Sequence, residues 1–157
     1  RRHLVAVLVI LGALTGTAWA QTPPSASDIA ALRAKAERGD ANAQTELGDW
    51  YLLGVGVPKD DTQAVAWYRK AADQGNAGAQ FNLGVMYANG RGVPKDDLFA
   101  YMWANLAAAH APADKQKVFS DFRDQVEQRL SPQQRADGQR MAREWQAAFE
   151  KRQAQRK

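Results

Sequence analysis

The sequence contains no cysteine and only two histidines, His3 and His110. The absence of cysteine excludes disulfide bonds, a cysteine nucleophile, a cysteine-based zinc site and lipid attachment through a thiol. A Ser-His-Asp arrangement in the body of the chain would have to use His110, and no partner nucleophile is apparent for it. We therefore predict no catalytic residue, no metal site and no cofactor.

Beyond its first 20 residues the chain also lacks a long apolar run. Those residues, RRHLVAVLVILGALTGTAWA, combine two arginines, an apolar stretch from Leu4 to Leu14 and the cleavage signal Ala18-Trp19-Ala20. This is the layout of a secretory signal peptide, with cleavage expected after Ala20. We expect an exported protein, periplasmic or alternatively secreted. The apolar stretch is short for a bilayer span, so we expect no stable membrane insertion after cleavage, and an uncleaved anchor is the alternative.

A strong charge imbalance is missing as well. The chain has 21 basic and 17 acidic residues, and without Arg1 and Arg2 the net charge falls from +4 to +2. This balance gives no indication of nucleic-acid binding, and an exported protein rarely meets nucleic acid. Four positive charges lie in residues 151–157, KRQAQRK, which we predict to be a solvated or disordered basic tail. Binding of this tail to a polyanion is the functional alternative.

The sequence does contain an internal duplication. Residues 39–74 and 75–110 align without gaps, and 18 of the 36 positions are identical. Chance identity at ordinary residue frequencies would be about 2 or 3 positions. The segment before residue 39 matches the end of a copy, which indicates a partial repeat at the N-terminal side. Identical pairs include Leu47/Leu83, Gly48/Gly84, Tyr51/Tyr87, Ala64/Ala100, Trp67/Trp103, Ala71/Ala107 and Ala72/Ala108.

Each copy is predicted to be a pair of helices joined by a glycine-rich turn. GVGVPKDD at residues 54–61 and GRGVPKDD at 90–97 could in principle cradle a phosphate or a cation. A phosphate loop of the dinucleotide type needs a strand before its glycines, however, and a Ca²⁺ loop needs oxygens at alternating positions. Gly54 is instead placed to end the first helix, and Asp60 or Asp61 to cap the second. The pattern therefore favours a structural turn that the fold uses twice.

Small residues at Gly48, Ala64, Ala71 and Ala72 allow close approach of the helices, and the large aromatic side chains fill the space beside them. We predict that Trp67 and Trp103 are buried and carry much of the core. A two-helix unit cannot bury its apolar stripe alone, so neighbouring units must stack.

The pattern A-x-A-Q-x-x-L-G-x-x-Y-x-x-G-x-G-V-P-K-D, followed by A-x-x-W and A-A, resembles the Sel1-like repeat (SLR), a relative of the tetratricopeptide repeat. The resemblance implies an all-α fold, an α/α solenoid of antiparallel helix pairs whose usual role is to scaffold protein complexes. Bacterial members of this family are often exported. The segment SPQQRADGQRMAREW is similar to a helix that commonly follows such repeats.

The predicted organisation has five parts: a signal peptide (1–20), a linker (21–27), the repeat region (28–110), C-terminal helices (111–150) and the basic tail (151–157). In the C-terminal part, Val118, Phe119, Phe122, Val126 and Leu130 form one apolar stripe. We expect these helices to cap the open end of the solenoid, with a coiled partner helix as the alternative.

The two copies diverge on the face opposite the shared one. First helices usually line the concave groove of such stacks, so this face is our candidate for protein binding, with solvated surface as the alternative. Phe81 and Val85 need cover, which either the C-terminal helices or a ligand could provide. The candidate residues are Asn42, Thr45, Glu46, Asp49, Leu53, Phe81, Asn82, Val85 and Asn89.

These observations favour an exported, non-enzymatic scaffold or adaptor that holds a peptide or helix of an envelope protein in a groove. Two alternatives stay open: a cell-wall-associated enzyme or accessory protein in cell-wall turnover, and a secreted effector. A fold alone does not decide between them.

Overall fold

The computed structural model describes residues 22–156, so the predicted signal peptide lies outside the described residues. Seven helices follow one another in this range, and no strand occurs in it. They are α1 (Ala26–Glu37), α2 (Ala41–Leu53), α3 (Asp61–Ala72), α4 (Ala77–Asn89), α5 (Asp97–His110), α6 (Gln116–Glu127) and α7 (Pro132–Ala154). None of these described helices is both long and apolar enough to cross a membrane.

The helices stack as the duplication predicts. α2 packs on α3 to form the first unit, and α4 packs on α5 to form the second. α1 contacts α2 from the N-terminal side, and α3 contacts α4 across the junction between the units. The C-terminal helices α6 and α7 both pack on α5. The predicted all-α solenoid, with a partial repeat before it and capping helices after it, is confirmed.

The glycine-rich loops are structural turns. Gly54 and Gly90 end α2 and α4 in the left-handed conformation, with φ of 72° and 63°. Asp60 and Asp96 then accept hydrogen bonds from backbone amides in the first turns of α3 and α5. These groups satisfy the orphan N–H groups of a helix start, which explains both acids without a ligand.

A glutamine at the same position of each unit, buried in the first two, ties a first helix to the preceding second helix. Gln44, Gln80 and Gln116, spaced 36 residues apart, each donate a side-chain hydrogen bond to a backbone carbonyl eight residues earlier. The acceptors belong to Ala36, Ala72 and Ala108, at 3.0, 3.2 and 3.0 Å. Because Gln116 starts α6, this helix occupies the position of a third first helix. Sequence identity is lost there, but the repeat continues in structure.

The two paired tryptophans differ in burial. Trp103 is 6% exposed and meets Trp145 of α7 edge-on, with ring centroids 5.9 Å apart. Trp67 is only half-buried, and the ammonium of Lys70 lies 4.2 Å from its ring centroid. The prediction of a buried Trp67 is therefore wrong, because α7 covers only the second unit.

Tyr68 takes the buried place in the first unit instead. Its side chain is fully buried and its ring crosses Gly48, where an added Cβ would lie 2.5 Å from the ring. At the equivalent Gly84, the nearest side chain is Phe122 of α6, at 3.0 Å from such a Cβ. The small residue is used in both units, but the aromatic ring that fills the space comes from a different helix each time.

The C-terminal helices follow the predicted pattern with one extension. Phe119, Phe122, Val126 and Leu130 are buried, as the apolar stripe requires. Ser131 caps α7, which continues to Ala154, beyond the predicted end of the C-terminal helices at residue 150. The described part of the basic tail is therefore mostly helical, and its side chains are exposed.

Candidate protein-binding surface

Helices α2 and α4 carry the nine residues proposed for binding, which we call the first-helix surface. The structure divides this surface into a covered part on α4 and an open part centred on α2. The covered residues are Phe81 and Val85; the half-buried or exposed ones are Asn42, Thr45, Glu46, Asp49, Leu53, Asn82 and Asn89.

Phe81 and Val85 are both 3% exposed because α6 packs over them. The ring of Phe81 stacks on Phe119 at 4.5 Å between centroids and meets Phe122 edge-on at 5.1 Å. The cover that these two residues need is thus the chain's own helix. They are not accessible to a partner and leave the candidate set.

Asp49 is the most unusual residue of the open part. Its Oδ1 accepts hydrogen bonds from the Tyr68 hydroxyl at 2.7 Å and from the Asn82 side-chain amide at 3.2 Å. Burial raises the pKa of Asp49 to about 6, against the opposing effect of these hydrogen bonds, and the charge of Glu46 adds to the rise. Burial and the neighbouring Asp49 also raise the pKa of Tyr68, so Tyr68 donates as a neutral phenol.

Glu46 lies one turn before Asp49 on α2. Burial raises the pKa of Glu46, and the positive charge of Lys35 on α1 partly opposes this rise. Neither Glu46 nor Asp49 forms an ion pair within residues 22–156. Two carboxylates therefore lie on one helical face, partly removed from water and without a salt-bridge partner.

The remaining open residues are held by short-range hydrogen bonds or are apolar. Asn42 accepts from the side-chain amide of Asn76 at 2.9 Å, across the junction between the units. Thr45 and Asn89 donate to backbone carbonyls of their own helices. Leu53, at the end of α2, is 48% exposed. This part of the surface is mostly polar, with one accessible apolar side chain.

An open cleft of about 410 Å³ adjoins Glu46 between α1 and α2. Its apolar lining includes Pro24, Leu32 and Trp50, and its charged groups are Asp28, Lys35 and Glu46. Sequence reasoning missed Leu32, Lys35 and Trp50. Leu32 and Lys35 lie in the partial repeat, and Trp50 lies outside the divergent face of α2 that was chosen for binding. The cleft depends on the packing of α1, which no sequence spacing specifies.

His110 lines a second cleft, of about 460 Å³, between α5 and α7. Its Nδ1 lies 2.9 Å from Oε1 of Gln80 and its Nε2 lies 2.8 Å from Oε1 of Gln146. Both ring nitrogens are thus engaged by amides, and neither contacts a carboxylate or a hydroxyl nucleophile. Within the described residues, no group of three or more acidic, histidine or cysteine side chains is arranged to hold a metal ion.

We predict that Asp49→Asn stabilises the protein at neutral pH. Because the pKa of Asp49 is raised from 3.8 to about 6 in the folded state, its ionisation opposes folding. Its contribution to stability is greatest below pH 3.8 and is lost as the pH rises through 6. Asparagine keeps the oxygen that accepts from Tyr68 and Asn82. Urea denaturation at pH 7 should show a gain of about 1–3 kcal/mol, shrinking to near zero in acid.

Asp114→Asn is the matched control, because Asp114 is exposed and its loss should change the free energy of unfolding by about 0.5 kcal/mol or less. A loss of stability in Asp49→Asn at pH 7 would show that the ionised carboxylate is needed by the fold.

Comparison with known proteins agrees with the repeat geometry. The model of the family described as the Sel1 repeat matches residues 41–76 and 77–111. One similar solved structure is a protective antigen present in uropathogenic Escherichia coli strains that displays an SLR fold, with 31% identity over 81% of this chain and a TM-score of 0.70. Another is a Sel1 repeat protein from Oxalobacter formigenes, with 40% identity over 64% of this chain and a TM-score of 0.59.

The chain spans 28% of the length of each of these two solved proteins. No curated protein matches the chain.

Proposed function

Because the chain belongs to the Sel1 repeat family, we propose that it is an exported scaffold that holds a peptide or helix of an envelope protein on its first-helix surface, without catalysing a reaction. Sel1 repeat proteins are generally protein–protein interaction scaffolds and are typically not catalytic. The finer proposal adds the location of binding, the kind of partner and the export of the protein.

The observation that carries the proposal is the difference between the two units. On the second unit, α6 packs across α4 and covers Phe81 and Val85. On the first unit, the counterparts of Phe81 and Val85 are the polar residues Thr45 and Asp49, which are half-buried beside α4, and Glu46 and Leu53 are accessible next to them. The contact of α6 with α4 is apolar and closed, whereas the first unit presents a polar, partly open surface.

The polar character of the open part of the first-helix surface favours a transient, reversible interaction with the partner. Obligate interfaces are more apolar than this surface, whereas adaptor contacts mix polar groups with a few apolar anchors. Leu53 and the apolar lining of the α1–α2 cleft would supply the anchors. The area is small, so we expect modest affinity unless other contacts add to it.

Site-specific photo-cross-linking in intact cells tests this proposal. We would place p-benzoylphenylalanine at Asn42 or Leu53 of the full chain, irradiate, and recover adducts from the periplasmic fraction. We expect a discrete adduct of one envelope protein, identified by mass spectrometry, from both positions. Recovery in the periplasmic fraction tests the export part of the proposal in the same experiment.

The control positions are Gln125 on the outer face of α6 and Gln128 directly after this helix; both are exposed. Adducts of equal yield from α6, or no adduct from α2, would contradict binding at the first-helix surface. Replacing Asn42, Glu46, Asp49, Asn82 and Asn89 together by Ala should abolish the adduct formed from a cross-linker at Leu53 while the helical circular dichroism is retained.

A further inference from the structure

We propose that the partner segment carries an arginine or lysine side chain, which the first unit receives at Glu46 and Asp49 beside the α1–α2 cleft. This inference rests on the proposed function and adds the chemistry that the surface recognises. It commits to a cationic peptide side chain as the occupant.

The first argument is the free oxygen of Asp49. Both hydrogen bonds to this carboxylate, from Tyr68 and Asn82, use Oδ1. Oδ2 has no hydrogen-bond partner among residues 22–156, and no completely buried polar side-chain atom there lacks a partner, so Oδ2 keeps some contact with solvent although Asp49 is half-buried. One oxygen of the carboxylate is held by the fold while the other makes no hydrogen bond, which leaves an acceptor that a guanidinium or ammonium donor can use.

The second argument is that the fold does not require these charges. The position of Asp49 in the second unit is occupied by Val85, and that of Glu46 by Asn82. At the second junction Val85 packs in an apolar cluster beneath α6. A partly desolvated, ionised carboxylate at the first junction therefore lowers the stability of the fold. A cation from a partner would offset this loss because it favours the ionised form.

The charged and titratable groups around the two carboxylates leave them available. Lys35 of α1 acts on Glu46, Lys115 at the start of α6 acts on Asp49, and Tyr68 of α3 donates to Asp49. Arg91, after α4, acts on Tyr68 and is itself paired with Asp61. Neither lysine comes within 4.0 Å of Glu46 or Asp49. Lys35 and Lys115 thus flank the pair on two sides without occupying its oxygens.

The third argument is the neighbouring cleft, which makes the site more than a pair of acids. The cleft of about 410 Å³ brings Pro24, Leu32 and Trp50 next to Glu46. Arginine and lysine bury a long aliphatic stem on apolar surface while their charged end stays with polar groups. A cleft with an apolar wall, and with the carboxylates of Asp28 and Glu46 in its lining, fits that division of the side chain.

The test uses two synthetic pentapeptides, acetyl-Ala-Ala-Arg-Ala-Ala-amide and the same peptide with citrulline, which has nearly the same shape and no charge. The full chain labelled with ¹⁵N is titrated with each peptide at pH 7.5 and followed by NMR. We expect saturable shifts of backbone amides between residues 42 and 50 and of the Trp50 indole, with an affinity for the arginine peptide at least about tenfold higher than for citrulline.

The double variant Glu46→Gln/Asp49→Asn should weaken binding of the arginine peptide at least about tenfold. The matched control, Asp121→Asn/Asp124→Asn, removes two exposed carboxylates with the same spacing from the outer face of α6 and should leave it unchanged. Equal binding of the citrulline peptide, equal loss in both double variants, or the absence of saturable shifts would each overturn the inference.

The cross-linking experiment separates this inference from the broader proposal. If the adduct at Asn42 forms equally in the Glu46→Gln/Asp49→Asn background, the partner uses the surface without a cationic contact, so the inference fails and the scaffold stands. If no adduct forms from α2 at all, the proposed binding surface itself fails.

Discussion

Truncation of Trp103 to alanine is expected to lower the free energy of unfolding by about 3–5 kcal/mol. Trp103 is 6% exposed, packs within the main core cluster and meets Trp145 of α7 edge-on. Removing the indole leaves a cavity between α5 and α7 that neither helix can close, because Tyr101 fits against Gly138 of α7 and fixes their approach. Urea denaturation followed by far-ultraviolet circular dichroism measures the loss.

The chain supplies a matched control for this prediction, since Trp67 is the repeat equivalent of Trp103. Trp67 is half-buried, with Lys70 across its ring, so Trp67→Ala should cost about half as much or less. If both substitutions lowered stability equally, the difference in burial between the two units would have no energetic consequence. The helical signal of both variants before denaturation should match that of the unaltered protein.

The repeat fold could be predicted from sequence because it depends on local spacing. Gly54 and Gly90 end the first helix of each unit. Asp60 and Asp96 cap the second helix, and the 36-residue period shows that the same pattern occurs twice. Each of these features needs only its immediate neighbours. The helix pairs and their turns therefore follow from the sequence almost directly.

The environment of each repeated residue could not be predicted in the same way. Trp67 and Trp103 occupy identical positions, but only the second unit is followed by α7. Phe81 and Val85 take the positions of Thr45 and Asp49 of the first unit, and α6 packs on them. A repeat alignment treats the copies as equal, whereas tertiary contacts at one end of the stack make them unequal.

One signal in the sequence was available and was missed. The glutamines at 44 and 80 were recognised as part of the repeat, and Gln116 stands at the next position of the same period. Its hydrogen bond to Ala108 places α6 as a third first helix, which explains why α6 covers α4. A single residue whose side chain donates to a backbone carbonyl of the preceding helix can thus mark a repeat after the rest of the pattern has been lost.

For the candidate site, sequence divergence selected a helical face but did not give the chemistry of that face. Asp49 was proposed as an exposed groove residue, and the structure shows it half-buried and bonded to Tyr68 of α3. Tyr68 could not be inferred from the repeat, because its counterpart in the second unit is Ala104. The raised pKa of Asp49 arises from contacts among three helices, which no spacing within α2 specifies.

Replacement of Gly92 by alanine is expected to cost about 3–4 kcal/mol and to weaken the junction between the units. Gly92 has φ of +67°, and an added Cβ would lie 2.3 Å from the backbone oxygen of Asp61, at the start of α3. The loop of the second unit therefore rests directly on the backbone of the first. Since Asp61 lies in a helix, neither side can yield as a flexible side chain would.

Gly39→Ala separates the clash from the backbone strain. Gly39 also has a positive φ, +97°, but an added Cβ there meets nothing within 4 Å, so its substitution should cost only about 1–2 kcal/mol. Gly56, the repeat counterpart of Gly92, approaches the side chains of Ile29 and Pro24 and should fall between the two. Urea denaturation of the three variants at one pH gives the comparison.

The order of these losses tests how the units are joined. In a stacked repeat protein the stability depends on the interfaces between neighbours, so damage at Gly92 should also broaden the transition as the two units begin to unfold separately. Arg91 pairs with Asp61 at the same contact, with atoms 2.9 Å apart, and the clash would disturb this pair as well. Gly92→Ala could instead lose no more stability than Gly39→Ala and keep a sharp unfolding transition. That result would show that this loop does not stabilise the junction between the units, and that the packing of α3 on α4 alone stabilises it.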